Sequence, residues 1–172
     1  MQLIRFDEIK ENQYIDYIQE WEREDELIVP AISARGTLNF FELMNRWKIS
    51  ETDEIYKIGF VPSTLYFLID DTRRIIGAIH FRHVLNEELK KHGGNIGYGI
   101  RKMERQKGYA TQMLKMFLGQ EEVKLYKKLL LTCDDDNVAS IKTIESNGGI
   151  MEDKIVVDGV VVRRYWIENK GA

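Results

Sequence analysis

The chain has 172 residues, enough for one ordinary domain and too few for two comfortable ones. Its 25 basic side chains nearly cancel its 28 acidic ones, and the net charge of -3 excludes a general attraction to nucleic acid or anionic membrane, so any anion site has to be local. The one cysteine, Cys133, excludes an intrachain disulfide, and together with three scattered histidines it argues against a structural zinc site; Asp134-Asp135-Asp136 lack the spacing of a calcium loop, so no metal is expected.

The opening residues, MQLIRFDEIK, lack the charged region and apolar core of a secretory leader. No stretch approaches the roughly 18 consecutive apolar residues of a membrane span, so a cytoplasmic location without membrane contact is expected.

Residues 2–6 read as a short strand. Within residues 8–22, Tyr14, Tyr17, Ile18 and Trp21 fall at the spacing of one helix face. Residues 30–37 read as loop, and Phe40, Leu43, Met44 and Trp47 then repeat the helical spacing. After Pro62 the period changes. Residues 64–69 and 75–81 are apolar runs on either side of Asp70–Arg74, the pattern of a hairpin of two buried strands. Asn86 to His92 predicts a helical turn and residues 95–101 a third strand in this group.

Ala110, Met113, Leu114, Phe117 and Leu118 form a continuous helical stripe that must face a core. Leu129 to Cys133 reads as an interior strand. Asn137 to Asn147 reads as a helix with Val138, Ile141 and Ile144 inward, closed by Gly148 in a left-handed cap. Apolar residues on both sides of Asp158-Gly159 predict a final hairpin with a type I′ turn. The order β-α-α-β-β-β-α-β-α-β-β predicts an α/β (α+β) fold. A mixed sheet with helices on both faces would form a single domain over residues 1–172.

Chemistry concentrates between Tyr98 and Thr111, in YGIRKMERQKGYAT. A strand ends, Arg101, Lys102, Arg105 and Lys107 follow with Glu104 as the one acid, and a helix begins with Gly108. A helix start offers unpaired N–H groups and partial positive charge, and a glycine lets a ligand approach the backbone. Cations in a first turn oppose the helix dipole, whereas a bound phosphate or pyrophosphate reverses the sign. Neither GxxxxGK[ST] nor GxGxxG is present, which excludes an ordinary nucleotide P-loop and a dinucleotide fingerprint. A nucleic-acid site on the same basic run is opposed by the negative total charge.

The segment Arg105-Gln106-Lys107-Gly108-Tyr109-Ala110, followed by Thr111, resembles the Q/R-x-x-G-x-G/A motif of the GNAT superfamily of acyl-CoA N-acyltransferases. Asn137-Val138-Ala139-Ser140 is similar to the N-x-x-S/A segment that such enzymes carry on a later helix. The resemblance runs from residue 2 to residue 168. It looks closest to a bacterial branch of predicted acetyltransferases, through Arg82–Asn86, Gly93–Tyr98, Ile144–Gly149 and Arg164–Ile167.

The resemblance implies a largely antiparallel sheet of about seven strands, splayed between the strands at 95–101 and 129–133. It implies acetyl-CoA as co-substrate, with its diphosphate on the backbone amides from Arg105 to Thr111. The pantetheine arm would pair with backbone near Ile100 and Lys102, Arg101 would add its charge to the cofactor site, Asn137 would hydrogen-bond the arm and Ser140 would lie near it. Acetyl transfer to a small-molecule or peptide amine would then proceed by direct attack in a ternary complex, with no metal. A backbone N–H near Ile100 would stabilise the charge that develops on the thioester oxygen.

A protonated amine cannot attack, so a base or a water chain must take a proton, and His83 is the candidate base with a suitable ordinary pKa. Many family members place a tyrosine seven residues after the helix-opening asparagine, to protonate the leaving thiolate. Ile144 stands there in this chain, so either another donor takes that part, with Tyr98 as the candidate, or the thiolate leaves assisted by water. That departure motivates an alternative, a non-catalytic acyl-CoA-binding sensor. The acceptor region implied by the resemblance holds Trp21, Glu22, Glu24, Asp25 and Glu26, then Phe40, Phe41 and Trp47; acids beside aromatics suit a cationic amine. Assembly as a homodimer is left open.

Overall fold

The computed structural model describes residues 1–169, which form two compact units, residues 1–83 with 97–110 and residues 84–96 with the chain from 111 onward. The first unit carries strands β1 (Gln2–Arg5), β2 (Ser63–Ile69), β3 (Ile75–Arg82) and, from Gly97, most of β4 (Ile96–Ile100), in the order β1-β2-β3-β4. Two helices, α1 (Glu11–Arg23) and α2 (Phe40–Ser50), bury their apolar faces against this sheet.

The aromatic residues read from helical spacing make that contact. Tyr14, Tyr17, Ile18 and Trp21 of α1 and Leu43 and Trp47 of α2 pack with Leu65, Phe67 and Ile69 of β2. Trp47 is fully buried, with ring centroids 5.9 Å from Phe6, 5.6 Å from Tyr14 and 5.8 Å from Phe67. Its indole N–H donates to Ile32 O at 2.8 Å and the Tyr14 hydroxyl donates to Ser33 O at 2.7 Å. Buried polar handles thus tie the loop between the helices to the core. Asn39 caps α2: its side chain accepts from Glu42 N at 3.0 Å, and Glu42 accepts in return from Asn39 N at 2.9 Å.

In the second unit β7 (Val160–Glu168) is central. It pairs antiparallel with β5 (Lys128–Asp134) on one side and β6 (Ile150–Val157) on the other. Asp158 and Gly159 both have positive φ, at 50° and 82°, as the expected type I′ turn requires. The unit also carries α3 (Glu87–Lys91), α4 (Tyr109–Leu118) from Thr111 onward, α5 (Glu121–Lys124) and α6 (Val138–Ser146).

All seven strands expected from the sequence are present. They are divided into a four-stranded and a three-stranded sheet, and in the chain the division falls between β4 and β5, the pair expected to splay. The helix read over 8–22 is shorter: Phe6–Glu8 forms a 3-10 turn and α1 begins at Glu11. Two short elements have too few residues to show a period, a 3-10 turn at Asp53–Ile58 and α5.

Candidate active site

The chain leaves β4 through a 3-10 turn at Lys102–Glu104. Arg105 is extended, Gln106 has φ +62°, Gly108 has φ +80°, and α4 opens at Tyr109. Left-handed residues just before a helix start turn successive N–H groups toward one side, a concavity suited to an anion. Among the described residues no acceptor takes the N–H groups of Gly108, Tyr109 or Ala110. Beyond its chain neighbours nothing lies within 4 Å of the place a Gly108 side chain would occupy, so the backbone is uncrowded on that side. The backbone therefore fits a diphosphate.

The four cations of this segment behave differently from one another. Arg101 is 2% exposed and faces α1, not an open site. Its Nε donates to Glu20 Oε2 at 2.5 Å, its Nη1 to Asp16 Oδ2 at 2.6 Å and to Ile75 O at 3.1 Å, and its Nη2 to Asp16 O at 3.1 Å. Its backbone N–H donates to Ile76 O at 3.1 Å. Arg101 is a clamp between strand and helix, which corrects the expectation that its charge meets the ligand.

The others carry exposed pairs. Lys102 Nζ lies 2.5 Å from Glu24 Oε2 and 3.7 Å from Glu26 Oε1. Arg105 Nη2 lies 2.5 Å from Glu26 Oε2, its Nε donates to Ile100 O at 2.9 Å, and its guanidinium sits 5.1 Å from the Trp21 ring centroid. Lys107 Nζ lies 2.9 Å from Glu104 Oε2, and Glu104 Oε1 also accepts from Arg74 at 2.6 Å. The hydrogen bond from Arg105 holds the Glu26 carboxyl below its ordinary pKa, and that from Lys107 does the same for Glu104. Glu22 pairs with Arg35 at 2.6 Å, so three of the four acids expected to await a cationic amine, Glu22, Glu24 and Glu26, are engaged within the chain. Trp47, also read as acceptor-lining, belongs to the core.

Sequence reasoning missed Asp16 and Glu20. Glu20 Oε1 accepts from Met103 N at 3.0 Å while its other oxygen holds Arg101, so it shapes the turn that leads to the amides. The signal was an acid stripe at i, i+4 and i+8 (Asp16, Glu20, Glu24) on the edge of an otherwise aromatic helix face.

The loop after α1 crosses β4. A side chain on Gly99 would meet Val29 O at 2.1 Å, whereas one on Gly97 would find its nearest neighbour, the Arg82 guanidinium, at 3.6 Å. Gly99→Ala is therefore expected to cost about 1–3 kcal/mol, seen as a drop of roughly 2–4 °C per kcal/mol in thermal unfolding. Gly97→Ala is expected to change stability much less; equal losses at both positions would contradict this.

His83 is half-buried, with Nε2 3.0 Å from Thr64 Oγ1. Thr64 gives its single proton to Glu51 Oε1 at 2.8 Å, and Glu51 is paired with Arg5. The ring must then donate from Nε2, which leaves the Nδ1 lone pair as the basic position. Burial lowers the His83 pKa, with Glu51 opposing, so the ring is neutral near pH 7. Tyr98, the other catalytic candidate, is partly exposed midway along β4.

His80 in β3 is 8% exposed and its Nε2 has no partner among the described residues. Burial drives its pKa well below the ordinary value, with Arg82 and His83 adding. The unfolded chain thus binds more protons, so stability is complete above about pH 6.5 and falls as pH drops below it, by at most ~1.4 kcal/mol per pH unit for one group. Urea midpoints at about pH 7.5 and about pH 5.5 should differ in the parent and differ less in His80→Leu. An unchanged difference in that variant would contradict the assignment.

In the second unit Asn137 Oδ1 accepts from Ser140 N at 3.0 Å, which makes Asn137 the N-cap of α6. Ser140 lies beside Cys133, whose thiol pKa is pushed up by burial, so the thiol is not poised as a nucleophile. Asp135 pairs with Lys154 at 2.8 Å and with Arg163. Ile144 is fully buried and lies so close to Gly149 that a side chain there would meet Ile144 Cγ2 at 2.4 Å.

The sequence matches the family of the acetyltransferase (GNAT) domain over residues 9–150, most of the chain. The chain belongs to the GNAT acetyltransferases. This acetyltransferase is similar in structure to a chimeric spermidine N-acetyltransferase SpeG from Vibrio cholerae, with 15% identity, TM-score 0.65, and coverage of 98% of this chain and 97% of that one. A ribosomal-protein-alanine acetyltransferase from Vibrio fischeri gives 13% identity, TM-score 0.64 and coverage of 98% and 93%. The ribosomal α-N-protein acetyltransferase RimL, solved in complex with coenzyme A, gives 13% identity, TM-score 0.63 and coverage of 99% and 94%. At these identities the likeness shows the fold. No curated protein sequence matches this GNAT chain. Among its described residues no helix is long and apolar enough to cross a membrane.

Proposed function

We propose that this enzyme moves an acetyl group from acetyl-CoA directly onto the primary amine of a small molecule or peptide, in the cytoplasm. The observation that carries the reading is the set of N–H groups at Gly108, Tyr109 and Ala110, which have no acceptor among the described residues and lie at the opening of the ten-residue helix α4. Those amides, with Arg105, Gln106, Lys107 and Thr111, would hold the diphosphate. Backbone at Ile100 and Lys102 is assigned to the arm, as are Asn137 and Ser140 on the strength of the N-x-x-S/A resemblance. Acetyl-CoA supplies an activated thioester carbonyl, and holding an amine beside it accounts for much of the acceleration. Proton removal from the amine is assigned to His83 Nδ1, and Tyr98 is assigned to the departing thiolate.

Calorimetric titration with acetyl-CoA, followed by thiol release across a library of amines, tests this. Binding together with release on at least one amine is expected. Binding without release on any acceptor would support the acyl-CoA sensor, and no binding at millimolar concentration would remove the coenzyme site altogether.

A further inference from the structure

Two kinds of ion pair meet at the end of β4, and their contrast carries an inference about the acceptor. The Arg101–Glu20 pair is buried and has further protein partners, so it stays in place. The pairs that engage Lys102, Arg105 and Lys107 are solvent-exposed at the cation, where ion pairing is weak and readily exchanged for another anion.

Resting on the coenzyme reading above, we propose that Glu24 and Glu26 are a latch: they occupy Lys102 and Arg105 in the free enzyme, a coenzyme diphosphate takes those cations over, and the two released carboxylates seat an amine carrying at least two positive charges.

The exchange needs little movement. Arg105 is braced by Ile100 O and by the Trp21 ring, so only its outer Nη2 has to change partner, and a turn of the Glu26 side chain suffices. Glu104 is not released by the same event, because Arg74 continues to hold it at 2.6 Å. Two carboxylates are then left without cations, next to Trp21 and at the start of the loop that crosses β4 at Gly99 and Gly97. Two neighbouring negative charges are matched by a linear diamine or longer polyamine, whose distal ammonium groups they hold while its reactive amine extends along that loop. Acceptor binding therefore follows coenzyme binding.

Calorimetry on the full chain tests this, with coenzyme A and the triamine spermidine as probes. Glu24→Gln with Glu26→Gln, which removes the competing carboxylates, is expected to tighten coenzyme A binding by roughly threefold to tenfold. The parent is expected to bind spermidine only when saturated with coenzyme A, and the double variant in neither condition. Coenzyme A binding that is equal or weaker in a double variant with parent-like thermal unfolding overturns the latch. So does spermidine binding by the parent that is absent, or independent of coenzyme A. Failure of the parent to bind coenzyme A is a different result, which overturns the coenzyme reading beneath it.

Discussion

Arg101→Ala is expected to lower the stability of the enzyme by about 3–5 kcal/mol, the range for removing one partner of a buried ion pair. The loss follows from what stays behind. Glu20, with its side chain 8% exposed, would keep Met103 N and a 3.5 Å approach from Arg74 but lose the guanidinium at 2.5 Å. Desolvation that the pair now offsets would then act on a carboxylate stripped of its close cation. Arg101→Lys should lose less than alanine yet remain clearly weaker than the parent, because one ammonium cannot reach Glu20, Asp16 and Ile75 O together as the fork does. Denaturant midpoints of the three proteins check this. An alanine variant within about 1 kcal/mol of the parent would show that the cluster is not a clamp.

The second large effect is on the ligand. Gly108→Val places a β-branched residue at φ +80°, a conformation that costs such a side chain about 1–3 kcal/mol. The chain must either carry that strain or rotate the peptide, and rotation turns the Gly108 amide and its neighbours away from the common side on which an anion would sit. Acetyl-CoA affinity is expected to fall by at least about tenfold, since each factor of ten corresponds to ~1.4 kcal/mol. Gly119→Ala, with an ordinary φ and its nearest contact at 3.4 Å, is the control and should bind as the parent does. Titration of both variants decides the matter: unchanged affinity in Gly108→Val would place the diphosphate elsewhere.

The elements were legible because their signals are local. Tyr14, Tyr17, Ile18 and Trp21 repeat with the helical period, and Asp158-Gly159 carries the φ preference of its own turn. The Arg105–Thr111 segment was legible as a candidate anion site for the same reason, since a glycine before a helix start is a statement about adjacent residues. The expectation was less accurate for side chains. Four cations in one run looked equivalent in the sequence, yet one is buried against α1 and three are exposed and paired with nearby carboxylates.

The amino-acid order alone determined the seven strands, the principal helices, the glycine at the opening of α4 and membership of an acyltransferase family. Only the tertiary structure decided what the charges do. Arg101 and Glu20 are 81 positions apart, and Lys102 and Glu24 are 78 apart. Local periodicity carries no information over such separations, and these contacts exist because burial of the α1 aromatic face docks the helix across the sheet and brings its acid stripe to the end of β4.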